Sequence, residues 1–168
     1  MAFDIPSNLD PALMPLAWLI GHWEGGGNGQ QADGTPFTYA ATIDISQVGQ
    51  PWLHYFMQLF EIDDDGRPVR PVTSEAGFWR PGANGEVELV VAQPEGVAEL
   101  YYGRIDGAKI ELTTDAVLRT VSADVAVTGS QRLYGNVEQD LLFTWDRGTA
   151  ETEVQPYLWA RLGRAPTL

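Results

Sequence analysis

Apolar and polar residues alternate along most of this chain, the pattern of β-strands that bury one face. Every second residue from Phe37 to Ile45 is apolar, and the residues between them are small or polar. Similar strand-length runs include "LHYFMQLFEI", "VELVVA" and "DLLFTW". Turn signals such as "DDDGRP", "PGANGE" and "QPEG" separate them. The pattern therefore predicts about ten strands connected by short turns.

The number of predicted strands favours a closed antiparallel architecture, because an open sheet would leave unpaired edges. We therefore expect an all-β fold, a single antiparallel β-barrel of about ten strands. Only the segment "DPALMPLAWLI" has a helical pattern. Asp10 suits a helix N-cap and Pro11 suits the first turn, so this segment predicts one short helix that closes an end of the barrel.

Length and composition set the domain organisation that we expect. The chain has 168 residues, a mass of 18.5 kDa and 44% hydrophobic residues, enough for one core but short for two. We expect one barrel domain over residues 1–168, with residues 1–9 as an N-terminal extension. The chain has no cysteine, which excludes disulfides, thiolate metal sites and a cysteine nucleophile.

Charge limits the partners that we expect. Ten basic and twenty-three acidic residues give a net charge of −13, which disfavours nucleic acid and anionic membrane surfaces. The first ten residues, "MAFDIPSNLD", have no basic region like that of a signal peptide, and no apolar run approaches the length of a membrane span. We therefore expect a cytoplasmic protein that contacts neither membrane nor nucleic acid.

A glycine-rich stretch, "GHWEGGGNGQ", follows the predicted helix. It is no phosphate-binding loop, because the following "DGTPFTYA" cannot open a helix. In a strand, Gly21, Trp23, Gly25 and Gly27 share one face. Glycines there allow a strand to coil sharply at a barrel corner, or they admit a ligand against the backbone.

Several segments together resemble the nitrobindin family. They are the G-x-W-x-G-x-G pattern of "GHWEGGG", then "PFTYAATIDISQVGQPWLHYF", "GFWRP", "VELVVAQPEGVAEL" and a final "VQPYLWARL". The resemblance extends from about residue 16 to 164. It implies a ten-stranded barrel like that of fatty-acid-binding proteins and lipocalins. It also implies ferric haem b in the barrel, nitric oxide binding and isomerisation of peroxynitrite to nitrate.

The chain departs from the family pattern at three positions that contact haem in typical members. The proximal histidine on the last strand corresponds to Tyr157, and a haem-contacting threonine corresponds to Asp33. A lysine that pairs with the cofactor corresponds to Asp124. Asp33 and Asp124 would repel the haem propionates. The resemblance therefore implies a haem site that has been lost or altered, and we expect no bound cofactor, with haem b as the alternative.

Tyr157 is a poor substitute for a histidine ligand. A phenol must lose a proton with a reference pKa of about 10 before it binds iron well, whereas a neutral imidazole binds readily. Tyrosinate does bind ferric haem in catalase, usually beside a cation. Lys109 is the chain's one lysine, and Arg161 is the candidate cation near Tyr157. On a regular strand Tyr157, Trp159 and Arg161 share one face, which makes Trp159 and Arg161 candidate pocket-lining residues.

The two histidines, His22 and His54, have no spacing that indicates a metal site, and we expect neither a metal centre nor catalytic residues. His54 lies in "PWLHYF", which matches the family, and is a third candidate for lining the pocket.

Three hypotheses follow from the sequence. The first, which we favour, is a barrel that has lost the histidine-ligated haem site and binds another small apolar molecule or none. The second is a ferric haem protein that isomerises peroxynitrite through Tyr157 or another ligand. The third is a structural or interaction module whose interior is filled by its own aromatic side chains.

Overall fold

A computed structural model of the chain describes residues 4–166. It contains one 3₁₀ helix, Pro11–Leu19, followed by ten strands. The strands are β1 (Gly21–Gln30), β2 (Pro36–Ser46), β3 (Leu53–Ile62), β4 (Pro68–Pro81), β5 (Glu86–Gln93), β6 (Val97–Asp106), β7 (Lys109–Arg119), β8 (Val127–Val137), β9 (Asp140–Thr149) and β10 (Gln155–Ala165).

The ten strands form one closed antiparallel barrel. Each strand pairs with the next along the chain, and β1 pairs with β10 to close the ring. The alternating pattern of the sequence appears directly in the burial of each strand; in β3, residues 53, 55, 57 and 59 are buried and those between them are exposed. This confirms the predicted all-β barrel with one short helix.

The helix closes one end of the barrel, as predicted. The Asp10 carboxylate accepts a hydrogen bond from the backbone N–H of Ala12 (2.9 Å), and Pro11 occupies the first turn. Leu13, Leu16 and Leu19 are fully buried against the barrel core. Pro15 lies inside the segment, where its missing N–H would break an α-helical ladder, which is consistent with the 3₁₀ form.

The opposite end of the barrel, called here the mouth, carries five of the interstrand turns. These turns are residues 31–35, 63–67, 94–96, 120–126 and 150–154. At the helix end, Asn84 (φ 57°) and Gly85 (φ 78°) adopt the left-handed backbone expected of a tight β-turn. Within residues 4–166, no helix is long and apolar enough to cross a membrane.

Candidate functional site

The glycines of β1 make room for aromatic side chains of β2. Gly27 pairs with Tyr39 and Gly29 pairs with Phe37 across the two strands. A methyl group added at Gly27 would collide with the Tyr39 ring, and one added at Gly29 would collide with the Phe37 ring. At these two positions the glycines therefore serve packing, since each is covered by an aromatic ring from the neighbouring strand.

Trp23 lies on the same inner face, at the helix end of the barrel. It is fully buried, and its indole N–H donates to the carbonyl oxygen of Leu19 (2.9 Å). Gly25 faces the backbone of β10, where an added methyl would lie 3.2 Å from the Arg161 carbonyl oxygen. Gly21 begins the strand with a φ of 151°.

Tyr157 lies near the start of β10, at a bulge. Pro156 pairs with Asp146 and Leu158 pairs with Trp145, so Tyr157 is an extra residue with no partner on β9. Its ring packs against the barrel core and meets the Trp145 ring edge-on, with centroids 5.2 Å apart. The guanidinium of Arg147 lies over the Tyr157 ring, 3.7 Å from its centroid.

Burial and charge act in opposite directions on the Tyr157 phenol. Burial raises its pKa and the neighbouring Arg147 lowers it, and the net effect is a pKa above the ordinary value. The carboxylate of Glu95 adds to the increase. At neutral pH the phenol is therefore protonated, which makes it a hydrogen-bond donor rather than a ready metal ligand.

A cavity of about 480 Å³ opens at the mouth beside Tyr157. Phe37, Val72 and Tyr157 line the apolar part of the cavity, and the rest of its lining is largely polar, including Asp33 and the ion pair of Glu61 with Arg70. Asp33 is exposed, and a hydrogen bond from the backbone N–H of Thr35 (2.9 Å) keeps the pKa of its carboxyl below the usual value. This volume is in the range of sites for small molecules.

Asp124 lies in the 120–126 turn at the mouth, exposed, and is not among the residues that line the cavity. The structure therefore brings Asp33 and Tyr157 into one cavity and leaves Asp124 outside it.

The three predicted pocket-lining residues point away from the barrel interior. Trp159 is 37% exposed on the outer face of β10, and Arg161 binds Glu138 and Asp140 there. The shared face with Tyr157 that a regular strand would give is lost, because the bulge shifts the alternation by one residue. His54 is also on the outer face, between the buried Leu53 and Tyr55.

Neither histidine of the chain faces the barrel interior. His22 lies on the outer face of β1, where its Nδ1 is 2.6 Å from the Asp44 carboxylate. The ring of His54 contacts the ring of Phe78 on the outer surface, with centroids 5.3 Å apart. In the described part of the chain, no group of three or more His, Cys, Asp or Glu side chains is placed to hold a metal ion.

A buried charge network lies inside the barrel and was not predicted from the sequence. Arg132 donates two hydrogen bonds of 2.6 Å to the Glu75 carboxylate and one of 3.2 Å to Glu99. All three side chains are at most 1% exposed. Tyr101 and Ser130 donate further hydrogen bonds to Glu99, at 2.6 Å and 2.9 Å. The two carboxylates take three of the five N–H donors of Arg132, and the hydroxyls of Tyr101 (2.9 Å) and Tyr134 (3.3 Å) take the other two, so its guanidinium is not available to a ligand.

The sequence did contain a signal for this network. Glu75, Glu99 and Arg132 each occupy an inward position in the alternation of their strands, where an apolar residue is the rule. Charges at such positions predict a paired interior cluster, although the partners cannot be assigned before the strands are in register.

Two polar groups close to Tyr157 have no hydrogen-bond partner among residues 4–166. They are the Trp145 indole N–H and the Tyr39 hydroxyl, and both side chains are at most 1% exposed. Trp145 contacts Tyr157 directly, and burial, together with the nearby phenol of Tyr157, raises the pKa of Tyr39. Unpaired buried donors are costly, so this part of the interior is suited to a ligand or water that accepts hydrogen bonds.

Comparison with known proteins agrees with the fold. Residues 12–164 match the family model described as a THAP4-like, heme-binding beta-barrel domain. The chain is 52% identical to a ferric nitrobindin-like protein of Cutibacterium acnes, over 98% of this chain and 100% of that protein. It is 45% identical to a peroxynitrite isomerase of a Nocardioides species, over 98% of this chain and 99% of that protein.

A solved structure has the same architecture. The crystal structure of Rv2717c from M. tuberculosis superposes with a TM-score of 0.80 at 32% sequence identity, covering 94% of this chain and 99% of that one. The family match, the close relatives and the shared barrel lead to one conclusion: this chain belongs to the THAP4-like haem-binding β-barrel family, the nitrobindin family.

Proposed function

We propose that this protein is a small-molecule-binding barrel of the nitrobindin family that has lost the family's histidine-ligated haem site. One observation carries the proposal. The β10 residue that faces the mouth cavity is Tyr157, whereas His22 and His54 both lie on the outer face of the barrel. No imidazole can therefore reach an iron atom in the interior without a change of fold.

The residues present do not fit a histidine-ligated ferric haem. The phenol that stands at the cavity is held in its protonated form by burial. One face of its ring is covered by the Arg147 guanidinium, and its edge is in contact with Trp145. Asp33 places a carboxylate on the rim, where it would repel a propionate group.

The mouth cavity supports binding of a small apolar molecule that carries a hydrogen-bond acceptor. The apolar part of its wall, formed by Phe37, Val72 and Tyr157, suits an apolar body, and its polar part suits a hydrogen-bonding group. The unpaired donors of Trp145 and Tyr39 are not among the residues that line the cavity, but the Trp145 ring contacts Tyr157, and the two donors would suit an acceptor oxygen that enters beside the phenol. The guanidinium of Arg132 already binds Glu75 and Glu99, so it does not bind this ligand.

Titration with ferric haem, followed by its Soret absorption, tests the proposal. We expect no saturable, stoichiometric Soret shift with the wild-type protein. Tyr157→His should restore part of the binding, and adding Asp33→Thr should increase it. Asp124→Thr is the matched control, because Asp124 does not line the cavity. Stoichiometric binding by the wild-type protein would overturn the proposal.

A second candidate function rests on Arg147. A cation 3.7 Å from the Tyr157 ring centroid is the kind of neighbour that favours a phenolate, and phenolate is an established ligand of ferric haem. A haem protein ligated in this way would bind haem in its wild-type form and lose the absorption band in Tyr157→Phe. A relative of this chain is named peroxynitrite isomerase, and this candidate would give the chain the same activity.

A further inference from the structure

A series of side-chain contacts connects the mouth cavity with the buried charge network. Tyr157, which lines the cavity, contacts the Trp145 ring at a centroid distance of 5.2 Å. The Cζ atom of Arg132 lies 3.8 Å from the centre of the Trp145 ring and 4.6 Å from the centre of the Tyr101 ring. One guanidinium therefore contacts both rings and connects Trp145 with Tyr101.

Tyr101 ends this series at a carboxylate. Its hydroxyl donates a hydrogen bond of 2.6 Å to Glu99 and accepts one of 2.9 Å from Arg132. Burial holds the pKa of the Tyr101 phenol well above its ordinary value, so the phenol carries its proton at neutral pH. A hydrogen bond this short to an ionised acceptor is of the strong, charge-assisted type. The Glu99 carboxylate is therefore placed to take the phenolic proton.

A carboxylate in this position changes how readily a tyrosine loses an electron. Loss of one electron makes a phenol strongly acidic, so a buried tyrosine is oxidised readily only when a base accepts its proton. Glu99 meets this condition for Tyr101. The Tyr157 phenol has no carboxylate as a hydrogen-bond partner in the described part of the chain, and the cation Arg147 covers its ring. An oxidising equivalent that enters at Tyr157 is therefore more stable on Tyr101.

The charge of the network also favours oxidation of Tyr101. One guanidinium, that of Arg132, is paired with the two carboxylates of Glu75 and Glu99, which gives these three side chains a net charge of −1. Screening by water is weak in a buried site, so this negative charge stabilises the loss of an electron from a neighbouring ring. When the Tyr101 proton moves to Glu99, the network becomes neutral. The oxidised state therefore leaves no uncompensated charge in the interior.

We propose that Tyr101 is a one-electron donor to a small radical oxidant that enters the mouth cavity, with Trp145 and Tyr157 as the path for the electron. In this step the oxidant gains one electron, Tyr101 loses one electron, and the phenolic O–H bond breaks as the proton passes to Oε2 of Glu99. The products are the one-electron-reduced oxidant, a neutral tyrosyl radical and a protonated Glu99. The step involves only residues of this chain, so it does not rest on the function proposed for the mouth cavity.

The test makes use of a chain that contains no cysteine. Asp33→Cys places a single thiol at the cavity that Tyr157 lines, and this thiol carries a covalently attached ruthenium tris-bipyridine label. A laser flash in the presence of a soluble electron acceptor converts the label into a one-electron oxidant. We expect a persistent tyrosyl radical in the EPR spectrum. It should form more slowly in heavy water, because a proton moves together with the electron.

Two tyrosine variants of the labelled protein identify the radical. In Tyr101→Phe the persistent signal should be lost. Tyr55→Phe is the matched control, because Tyr55 is also buried and donates to a network carboxylate, that of Glu75 (3.0 Å). Its ring contacts Trp79 and is not in contact with Trp145 among the described residues. Tyr55→Phe should therefore leave the signal unchanged.

Trp145→Phe tests the path. The Trp145 indole N–H has no hydrogen-bond partner among residues 4–166, so this substitution breaks no hydrogen bond of that group. A phenylalanine ring is much harder to oxidise than an indole, and the yield of the persistent radical should fall severalfold. This variant keeps the inference testable if Tyr101→Phe does not fold.

Four results would overturn the inference. They are the absence of a persistent tyrosyl radical in the labelled protein, a signal that survives Tyr101→Phe, an undiminished yield in Trp145→Phe, and an equal loss of signal in Tyr55→Phe. The last result would show that the radical does not belong to Tyr101 in particular.

Discussion

Arg132 is the residue on which the charge balance of the barrel interior depends. It is the cation within hydrogen-bonding distance of both Glu75 and Glu99. Buried charges are tolerated only when they are paired, and removing one partner leaves the others desolvated and uncompensated. The network is therefore a point at which a single substitution has a large effect.

We predict that Arg132→Met lowers the free energy of unfolding by about 3–5 kcal/mol, because two carboxylates lose their buried cation. Arg161→Met is the matched control. Its guanidinium also binds two carboxylates, but it is about half exposed on the outer face, where solvent screens the ion pairs, so its loss should lower stability far less than the loss of Arg132. Urea unfolding of both variants measures the difference. Equal losses would contradict the account of the network.

The residue scale is also where the sequence was least informative. The importance of Tyr157 followed from the family resemblance, but Arg147 was missed as its neighbouring cation; Arg161 was the one candidate considered, and its distance along the strand was too long for direct contact. The reason is the bulge between Pro156 and Leu158, which no pattern in "QPYLWARL" reveals. An alternation rule assigns faces correctly only where strands pair without insertions.

At the scale of single elements, β1 shows how two adjacent glycines differ in role. Gly27 faces inward, under the Tyr39 ring, and Gly26 faces outward, where an added methyl group would come no closer than 3.7 Å to another residue. The two glycines face opposite sides of the sheet because neighbouring residues of a strand point to opposite faces. Sequence reasoning identified the strand and the shared face of Gly21, Trp23, Gly25 and Gly27. It could not choose between packing and ligand binding, because the partner ring belongs to β2.

We predict that Gly27→Ala lowers the free energy of unfolding by about 1–3 kcal/mol, because its methyl group overlaps the buried Tyr39 ring. Gly25→Ala should cost less, since its methyl would lie 3.2 Å from its nearest neighbours. Alanine at Gly26 or at Gln30 should change stability by about 0.5 kcal/mol or less. Denaturant midpoints rank the four variants. If Gly26→Ala lowered stability and Gly27→Ala did not, the faces assigned to these two glycines would be wrong.

At the scale of the whole molecule, the barrel was predictable because its evidence is repeated along the chain. Alternation in each strand and turn signals between strands point to the same architecture, and the structure confirms ten strands in one closed ring. The interior network could not be predicted in the same way. It depends on which residues meet across strands, and register is a property of the assembled sheet.

The buried tyrosines give the whole barrel a predicted response to alkaline pH. Burial raises the pKa of Tyr39, Tyr55, Tyr101 and Tyr134 above the ordinary value of about 10. A raised pKa in the folded state favours the protonated phenol. The stabilisation is therefore complete below about pH 10 and is lost as pH rises above it, when the unfolded chain ionises first.

We predict that the midpoint of urea-induced unfolding falls steeply as pH rises above about 10. Tyr39→Phe is the informative variant, because the Tyr39 hydroxyl has no hydrogen-bond partner among the described residues. It should leave stability at pH 7 unchanged or slightly higher and reduce the alkaline loss. A midpoint that stays constant to pH 11 would contradict the burial assigned to these rings.

We propose that this member of a haem-binding family holds no histidine-ligated haem. The most direct test is the absorption spectrum of the protein purified from cells that produce excess haem. We predict that the wild-type protein is colourless and that Tyr157→His, purified in the same way, shows a Soret band. A wild-type protein that carries one haem per chain would contradict this prediction, and loss of its Soret band in Tyr157→Phe would then assign the iron to the phenolate.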